Sequence, residues 1–272
     1  MPEGHTIHLF ARAHDRAFSG QKLSVSSPQR RFAAGAKKLN HRRLKKVWAR
    51  GKHLFYEFDR KRIIHVHLGL HGKFRFVALK RGQSPEPPRG AVRMRIRTSD
   101  AVLDLNGPIV CEVIDHADVQ KILDRLGPDV LDSNADANAV WLAIENRAKP
   151  IGELLMDQSI VCGIGNAYRC ELLYRQRLHP LTPGKSLTRK QFDSLWKDAV
   201  HLLKMGVRRG QAWAVDETDV KNPPMLSDGT PDRYNVYRRT NCRGCGAKIQ
   251  VLRLGGRRCH LCPKEQKLPN RI

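Results

Sequence analysis

Two ends of the chain carry residues whose types and spacing can do chemistry. Near the C-terminus, Cys242-Arg243-Gly244-Cys245 and Cys259-His260-Leu261-Cys262 stand with thirteen residues between them. Zn²⁺ takes four soft ligands in a tetrahedron, so two Cys-x-x-Cys knuckles at this separation predict one structural zinc ion on Cys242, Cys245, Cys259 and Cys262. At the other end, Pro2 follows Met1 and precedes Glu3. Removal of the methionine before a small second residue would leave Pro2 with a free secondary amine. An α-amino group titrates near pH ~8, so a good fraction is neutral and nucleophilic at physiological pH. Attack of that amine on a sugar aldehyde carbon gives an iminium, an electron sink that is already cationic. Glu3 is the adjacent acid or base.

Two internal segments suit anions. Arg50-Gly51-Lys52-His53 makes a turn between strand patterns, close in sequence to Arg42, Arg43, Lys45 and Lys46. Lys52 there can neutralise a phosphate. Gly163-Ile164-Gly165 forces a tight turn from which Asn166 opens a helix, whose amides and side chain suit a phosphate at that N-terminus.

Charge names the class of partner. Lys and Arg total 50 against 26 Asp and Glu, a formal net charge of +24. Such an excess repels itself unless a polyanion is bound, so nucleic acid is expected. Arg238, Arg239, Arg243, Lys248, Arg253, Arg257 and Arg258 surround the cysteines and extend that expectation to the finger. No apolar run is long enough to span a bilayer, which argues against a membrane partner. The Met-Pro-Glu-Gly-His start lacks the apolar stretch of a signal peptide, so a cytoplasmic, nucleoid-associated protein is expected. Cys111, Cys162 and Cys170 lie in apolar patterns and read as reduced, buried thiols.

The elements that must position these residues follow from periodicity. Ile7, Phe10, Ala11, His14 and Phe18 recur at helical spacing over residues 3–19, and Gly20 stops the helix. From about residue 44 the period becomes two: Leu54, Tyr56 and Phe58, then Ile64, Val66 and Leu68, then Phe74 and Phe76, then Val92, Met94 and Ile96. An antiparallel sandwich or barrel is predicted, with Arg93, Arg95 and Arg97 on an outer face that is read as solvated, a DNA surface being the alternative. Helical spacing returns at 117–126, broken by Gly127-Pro128. Thr188 to Met205 reads as a helix with a Thr188/Gln191 capping box and Gly206 as its stop. Residues 207–233 read as a linker or flexible loop.

In this order the motifs resemble those of the formamidopyrimidine-DNA glycosylase/endonuclease VIII family. The resemblance rests on Pro2-Glu3, Gly51-Lys52, Leu126-Gly127-Pro128, the segment Asp157–Asn166 followed by Leu178-His179-Pro180, and Gly255-Gly256-Arg257. It implies an α+β fold. A helix-led N-terminal β-sandwich domain would span 1–116, and a helical domain with a helix–two-turns–helix motif 117–222. A C-terminal β-hairpin zinc finger would take 223–272. It also implies roles. Pro2 would attack C1′ of a damaged nucleotide, Glu3 would shuttle protons, and Lys52, Asn166 and Arg257 would clamp phosphates. Base extrusion exposes the shielded anomeric carbon, and Leu70 with His71 would fill the vacated space.

This chain departs from the family pattern in three places. The family's last two finger cysteines fall at Cys262 and Glu265, so Cys259 is the expected replacement ligand, with His260 as its rival. The family's arginine–phenylalanine void-filling loop is replaced by Asn106-Gly107-Pro108-Ile109-Val110, which favours the endonuclease VIII branch. His5 and Thr6 stand where Pro-Glu is common. The expected protein is therefore a monomeric, bifunctional DNA glycosylase and AP lyase. It would act on double-stranded DNA containing oxidised bases, pyrimidines above all, or abasic sites. A purine-directed formamidopyrimidine glycosylase and an inactive DNA-binding paralogue are the alternatives.

Overall fold

The protein is described by a computed structural model over residues 2–215 and 232–268. These residues form two compact units, one of 2–3 and 7–124, the other of 4–6, 125–215 and 232–268.

In the first unit, helix α1 (Gly4–Phe18) buries Ile7, Ala11, His14 and Phe18 along one face. Strand β1 (Lys22–Ser26) and helix α2 (Ala33–Leu39) follow, then β2 (Arg42–Arg50), β3 (His53–Phe58), β4 (Arg62–His67), β5 (Lys73–Ala78), β6 (Val92–Arg97), β7 (Ala101–Asn106) and β8 (Val110–Ile114). Among the described residues these eight strands are antiparallel, in the order β5-β7-β6-β1-β2-β3-β4-β8. β1 is the hinge of the architecture. Its Lys22 and Leu23 pair with β2, and its Ser24–Ser26 pair with β6. The chain of strands thereby divides into two layers. Leu54, Tyr56 and Ile64 from one share a core with Met94, Ile96 and Leu103 from the other. This is the predicted sandwich. Helix α3 (His116–Leu123), capped by Asp115 through the Asp118 amide, closes the unit.

The solvated arginine face is not fully observed. Arg95 is buried, and its guanidinium holds Asp104 of β7 by two hydrogen bonds of 2.6 and 2.7 Å. The carboxylate on the cross-strand partner turns a period-two outer position into an interior ion pair. That bond also holds the Arg95 proton more firmly than usual.

In the second unit, helices α4 (Ala137–Ile144), α5 (Ile151–Leu154), α6 (Asn166–Arg175) and α7 (Arg189–Arg209) surround an apolar core that includes Ile151, Leu172, Phe192 and Leu202. The hairpin β9 (Gln250–Leu254) and β10 (Arg257–Leu261) follows. The Thr188/Gln191 capping box is present. However, α7 runs past Gly206 and ends at Gly210 in the left-handed conformation, φ 74°. Gly206 serves packing rather than termination, since a Cβ there would lie 2.1 Å from the Tyr168 hydroxyl. Residues 207–215 are likewise not a loose linker: Val207 lies in α7, and Ala212, Trp213, Ala214 and Val215 are buried. Residues 216–231 of that expected loop lie outside the described residues.

Candidate functional site

The N-terminal segment is fixed by its third and fourth residues. The Gly4 amide donates to the Gly163 carbonyl at 2.8 Å, and a Cβ on Gly4 would fall 2.7 Å from the Gly163 Cα. The approach requires a glycine at position 4, and Gly163 is a glycine because it takes φ +100°. His5 is buried, with its ring edge-on to Tyr168 at 5.2 Å. Burial pushes its pKa down to about 3, with Arg233 among the nearby positive charges that add to the effect. A neutral packing histidine thus occupies one of the two positions where the family commonly has Pro-Glu. Pro2 is half-buried and Glu3 is buried.

Lys52 lies in the β2–β3 turn, half-buried, next to a histidine array. His53 Nδ1 and His65 Nε2 are 2.9 Å apart, and His65 Nδ1 is 3.1 Å from Glu112 Oε1. The His53 and His67 rings lie 4.9 Å apart. Burial lowers the His67 pKa, and the charges of His65 and Lys52 lower it further. The cross-strand register of β3, β4 and β8 brings these residues together. Each strand alone shows only an alternating polar position.

Leu70 and His71 occupy the β4–β5 turn, both exposed. Ile109, from the segment that replaces the family's void-filling loop, packs against Gly69, the residue before Leu70. Its amide donates to the His67 carbonyl at 3.0 Å, and a Cβ on Gly69 would meet the Ile109 side chain at 2.1 Å. Leu70 is 54% exposed and Ile109 68% exposed, so both apolar side chains are open to solvent.

In the second unit, the turn between α5 and α6 is organised by Gln158. Its side chain accepts from the Gly163 amide at 3.1 Å and donates to the Ile164 carbonyl at 3.2 Å. The Gln158 carbonyl takes the Gly127 amide at 2.9 Å, and a Cβ on Gly127 would collide with the Ile160 carbonyl. Asn166 then opens α6. Its carboxamide donates to the Arg258 carbonyl at 2.9 Å and accepts from Arg169. Arg169 is wholly buried and also reaches the Gly152 and Leu254 carbonyls at 3.2 Å each. Asn166 and the hairpin turn that carries exposed Arg257 are thus brought together. Arg169, the residue that does it, had no signal beyond its place in a helical pattern.

The metal candidates divide. The sulfurs of Cys242, Cys245 and Cys262 lie within 4.8 Å of one another, with Cys245 and Cys262 3.4 Å apart. Cys259, predicted to complete the set, is elsewhere: its sulfur lies 3.9 Å from that of Cys170 on α6. His260 is also apart, its ring edge-on to Tyr237 at 5.3 Å. The reason is strand geometry. Cys259 and His260 lie within β10 and are held by pairing with Leu252 and Val251, whereas Cys262 follows the end of the strand and is free to turn. Tyr174 Oη contacts Cys242 Sγ at 3.4 Å.

Among the described residues, no helix is long and apolar enough to cross a membrane. Residues 1–111 match the formamidopyrimidine-DNA glycosylase N-terminal domain, and residues 126–217 match the formamidopyrimidine-DNA glycosylase H2TH domain. The chain is 46% identical to Endonuclease 8 1 of Mycobacterium tuberculosis, over 97% of this chain and 98% of that protein. It is 28% identical to the formamidopyrimidine-DNA glycosylase of Geobacter metallireducens, over 98% of this chain and 100% of that one. The fold is shared with the Lactococcus lactis formamidopyrimidine-DNA glycosylase bound to DNA containing an AP site, at a TM-score of 0.80 and 22% identity over 98% of this chain and 100% of that one. With both domains matched and a relative of this identity along almost its full length, the chain belongs to the formamidopyrimidine-DNA glycosylase/endonuclease VIII family of base-excision repair glycosylases.

Proposed function

We propose that this protein removes oxidised bases, pyrimidines above all, from double-stranded DNA and then cuts the strand at the abasic site. The observation that carries the reading is the backbone bond from Gly4 to Gly163, which fixes the chain two residues after Pro2. A nucleophile on a chain terminus needs such an anchor, because positioning supplies much of the rate.

The Pro2 nitrogen, freed of Met1, attacks C1′ of the damaged nucleotide. The N-glycosidic electron pair leaves with the base, which takes up a proton. Glu3, buried beside Pro2 in sequence, serves the sugar oxygen and moves protons. After the proline nitrogen gives up its proton, its lone pair breaks the C1′–O4′ bond, the ring oxygen takes a proton from Glu3, and the resulting open-chain iminium acidifies C2′. Loss of that proton expels the 3′ phosphate, and a second elimination expels the 5′ phosphate. Lys52, Asn166 and Arg257 hold phosphates, while Leu70 and His71 enter the space of the extruded base. The DNA complexes of the Lactococcus lactis neighbour, with an abasic site or an N7-benzyl-Fapy-dG, support damaged DNA as the partner.

Three soft thiols close enough to share one ion fit zinc. Bound zinc would supply a structural staple for the hairpin and take no part in bond cleavage. Incubation with abasic DNA and borohydride tests the enzyme reading, since an inactive paralogue gives no covalent adduct. A purine-directed activity is the second reading, favoured by the relatives named formamidopyrimidine-DNA glycosylase. A panel of defined lesions separates the two: faster excision of dihydrouracil than of formamidopyrimidines supports the pyrimidine reading, and the reverse order replaces it.

A further inference from the structure

We infer that the fourth ligand of the zinc site is the carboxylate of Glu265, so that the centre is three thiolates and one oxygen. The inference rests on the zinc reading above.

A structural zinc site is closed by four protein ligands, and the cluster of Cys242, Cys245 and Cys262 supplies three. The two knuckles are built alike. The amides of Gly244 and Cys245 face the Cys242 sulfur, and the amides of Lys264 and Glu265 face the Cys262 sulfur. Glu265 therefore has, relative to Cys262, the place that Cys245 has relative to Cys242. The second knuckle is also pinned. The Gln266 amide donates to the Cys262 carbonyl, and its side chain accepts from the Cys262 amide, both at 2.9 Å. The same buried side chain donates to the Leu178 carbonyl at 2.8 Å. That fixes the Glu265 backbone beside the thiols.

The competing donors lie away from the three-sulfur cluster, although the buried His260 Nδ1 has no hydrogen-bond partner among the described residues. Cys259 faces Cys170 across the α6–β10 contact, and His260 faces Tyr237. Moving either to the cluster would require breaking its pairing within β10. Tyr174 Oη already contacts the Cys242 sulfur, and a phenol is a poor zinc donor beside a carboxylate. The Glu265 carboxylate, as placed, is not within the three-sulfur cluster, but the ion pair that holds it is a long contact of 3.8 Å from its Oε2 to the Nε of Arg177, whose side chain is 78% exposed. Glu265 lines the same open pocket as Tyr174 and Gly244, about 460 Å³ in volume, which gives the carboxylate room to turn. A carboxylate is an ordinary zinc ligand and balances the ion's charge as a thiolate does.

Zinc-edge X-ray absorption of the full-length, zinc-loaded protein tests this directly. The expected first shell is three sulfurs at about 2.3 Å and one oxygen at about 2.0–2.2 Å. Glu265→Cys should convert it to four sulfurs, and Cys259→Ser should leave it unchanged. In chelator competition, Glu265→Ala should weaken zinc binding by more than the roughly 10–100-fold that an outer-shell partner is worth. Four sulfurs in the wild type falling to three in Cys259→Ser, or an imidazole signal lost in His260→Ala, overturns the assignment. So does a Glu265→Cys protein that keeps three sulfurs. A wild-type protein without zinc would instead overturn the metal reading on which the inference stands.

Discussion

Asn166 donates through Nδ2 to the carbonyl of Arg258, so the first residue of α6 is tied to the hairpin turn ninety-two residues later in the chain. Its carboxamide oxygen is taken by Arg169. The side chain is therefore first a strut between helix and hairpin. What it can offer a phosphate is its remaining N–H together with the amides of the helix start.

Arg257 and Asn166 should consequently differ in their mutational signatures. Arg257 is exposed, so Arg257→Ala should weaken DNA binding and reduce the slope of log K against log[salt] by about one unit, with no loss of thermal stability. Asn166→Ala leaves buried Arg169 with one partner fewer and should lower the melting temperature as well. Salt titrations of DNA binding, paired with thermal denaturation, check both. An unchanged slope in Arg257→Ala would remove it from the phosphate contacts.

The apolar rim gives a prediction about base extrusion. Leu70→Ala and Ile109→Ala should each slow excision from fully paired duplex DNA more than from single strands or mismatched lesions, where unstacking costs less. Both side chains are exposed, so stability should be unchanged. Single-turnover excision on paired and single-stranded substrates is the measurement. Equal slowing on both would count against a wedge role.

His14 makes stability depend on pH. It is buried against Tyr56, whose hydroxyl lies 2.7 Å from its Nδ1, and burial pushes its pKa down to about 3. The unfolded chain takes up a proton near pH ~6.5 while the folded chain does not. Stability from His14 is thus complete above that pH and is lost as pH falls from about 6.5 toward 3. The loss approaches about 1.4 kcal/mol per pH unit. His14→Gln should flatten this dependence in urea denaturation at pH 7 and pH 5. If the variant keeps the wild-type slope, another group is responsible.

Much of this molecule is legible in its sequence because its patterns are local. The α1 face, the β3 and β4 alternation and the capping box of α7 follow from neighbours a few residues apart. The glycine turns that carry Asn166 and Lys52 were visible for the same reason. The misreadings are of residues decided by distant partners. Arg95 is interior because Asp104 crosses from β7, and β7 itself shows no alternation because five of its six residues are buried. Gly206 is interior to a helix because Tyr168 needs the space. Cys259 looks like half of a knuckle, yet strand pairing points it to Cys170. The His53–His65–Glu112 array appears only once the strand register is known.

The central claim is that Pro2 carries the chemistry, and it depends on a free secondary amine. Protein beginning at Pro2 should be trapped by borohydride on abasic DNA, with the crosslink at residue 2 by peptide mapping. Pro2→Gly retains a primary amine and should keep part of the lyase activity. Glu3→Gln should impair base removal more than cleavage of a preformed abasic site, because the abasic aldehyde is already electrophilic. A retained methionine or an N-terminal tag should abolish both steps. A crosslink that maps to Lys52, or full activity in an N-terminally blocked protein, would contradict the account.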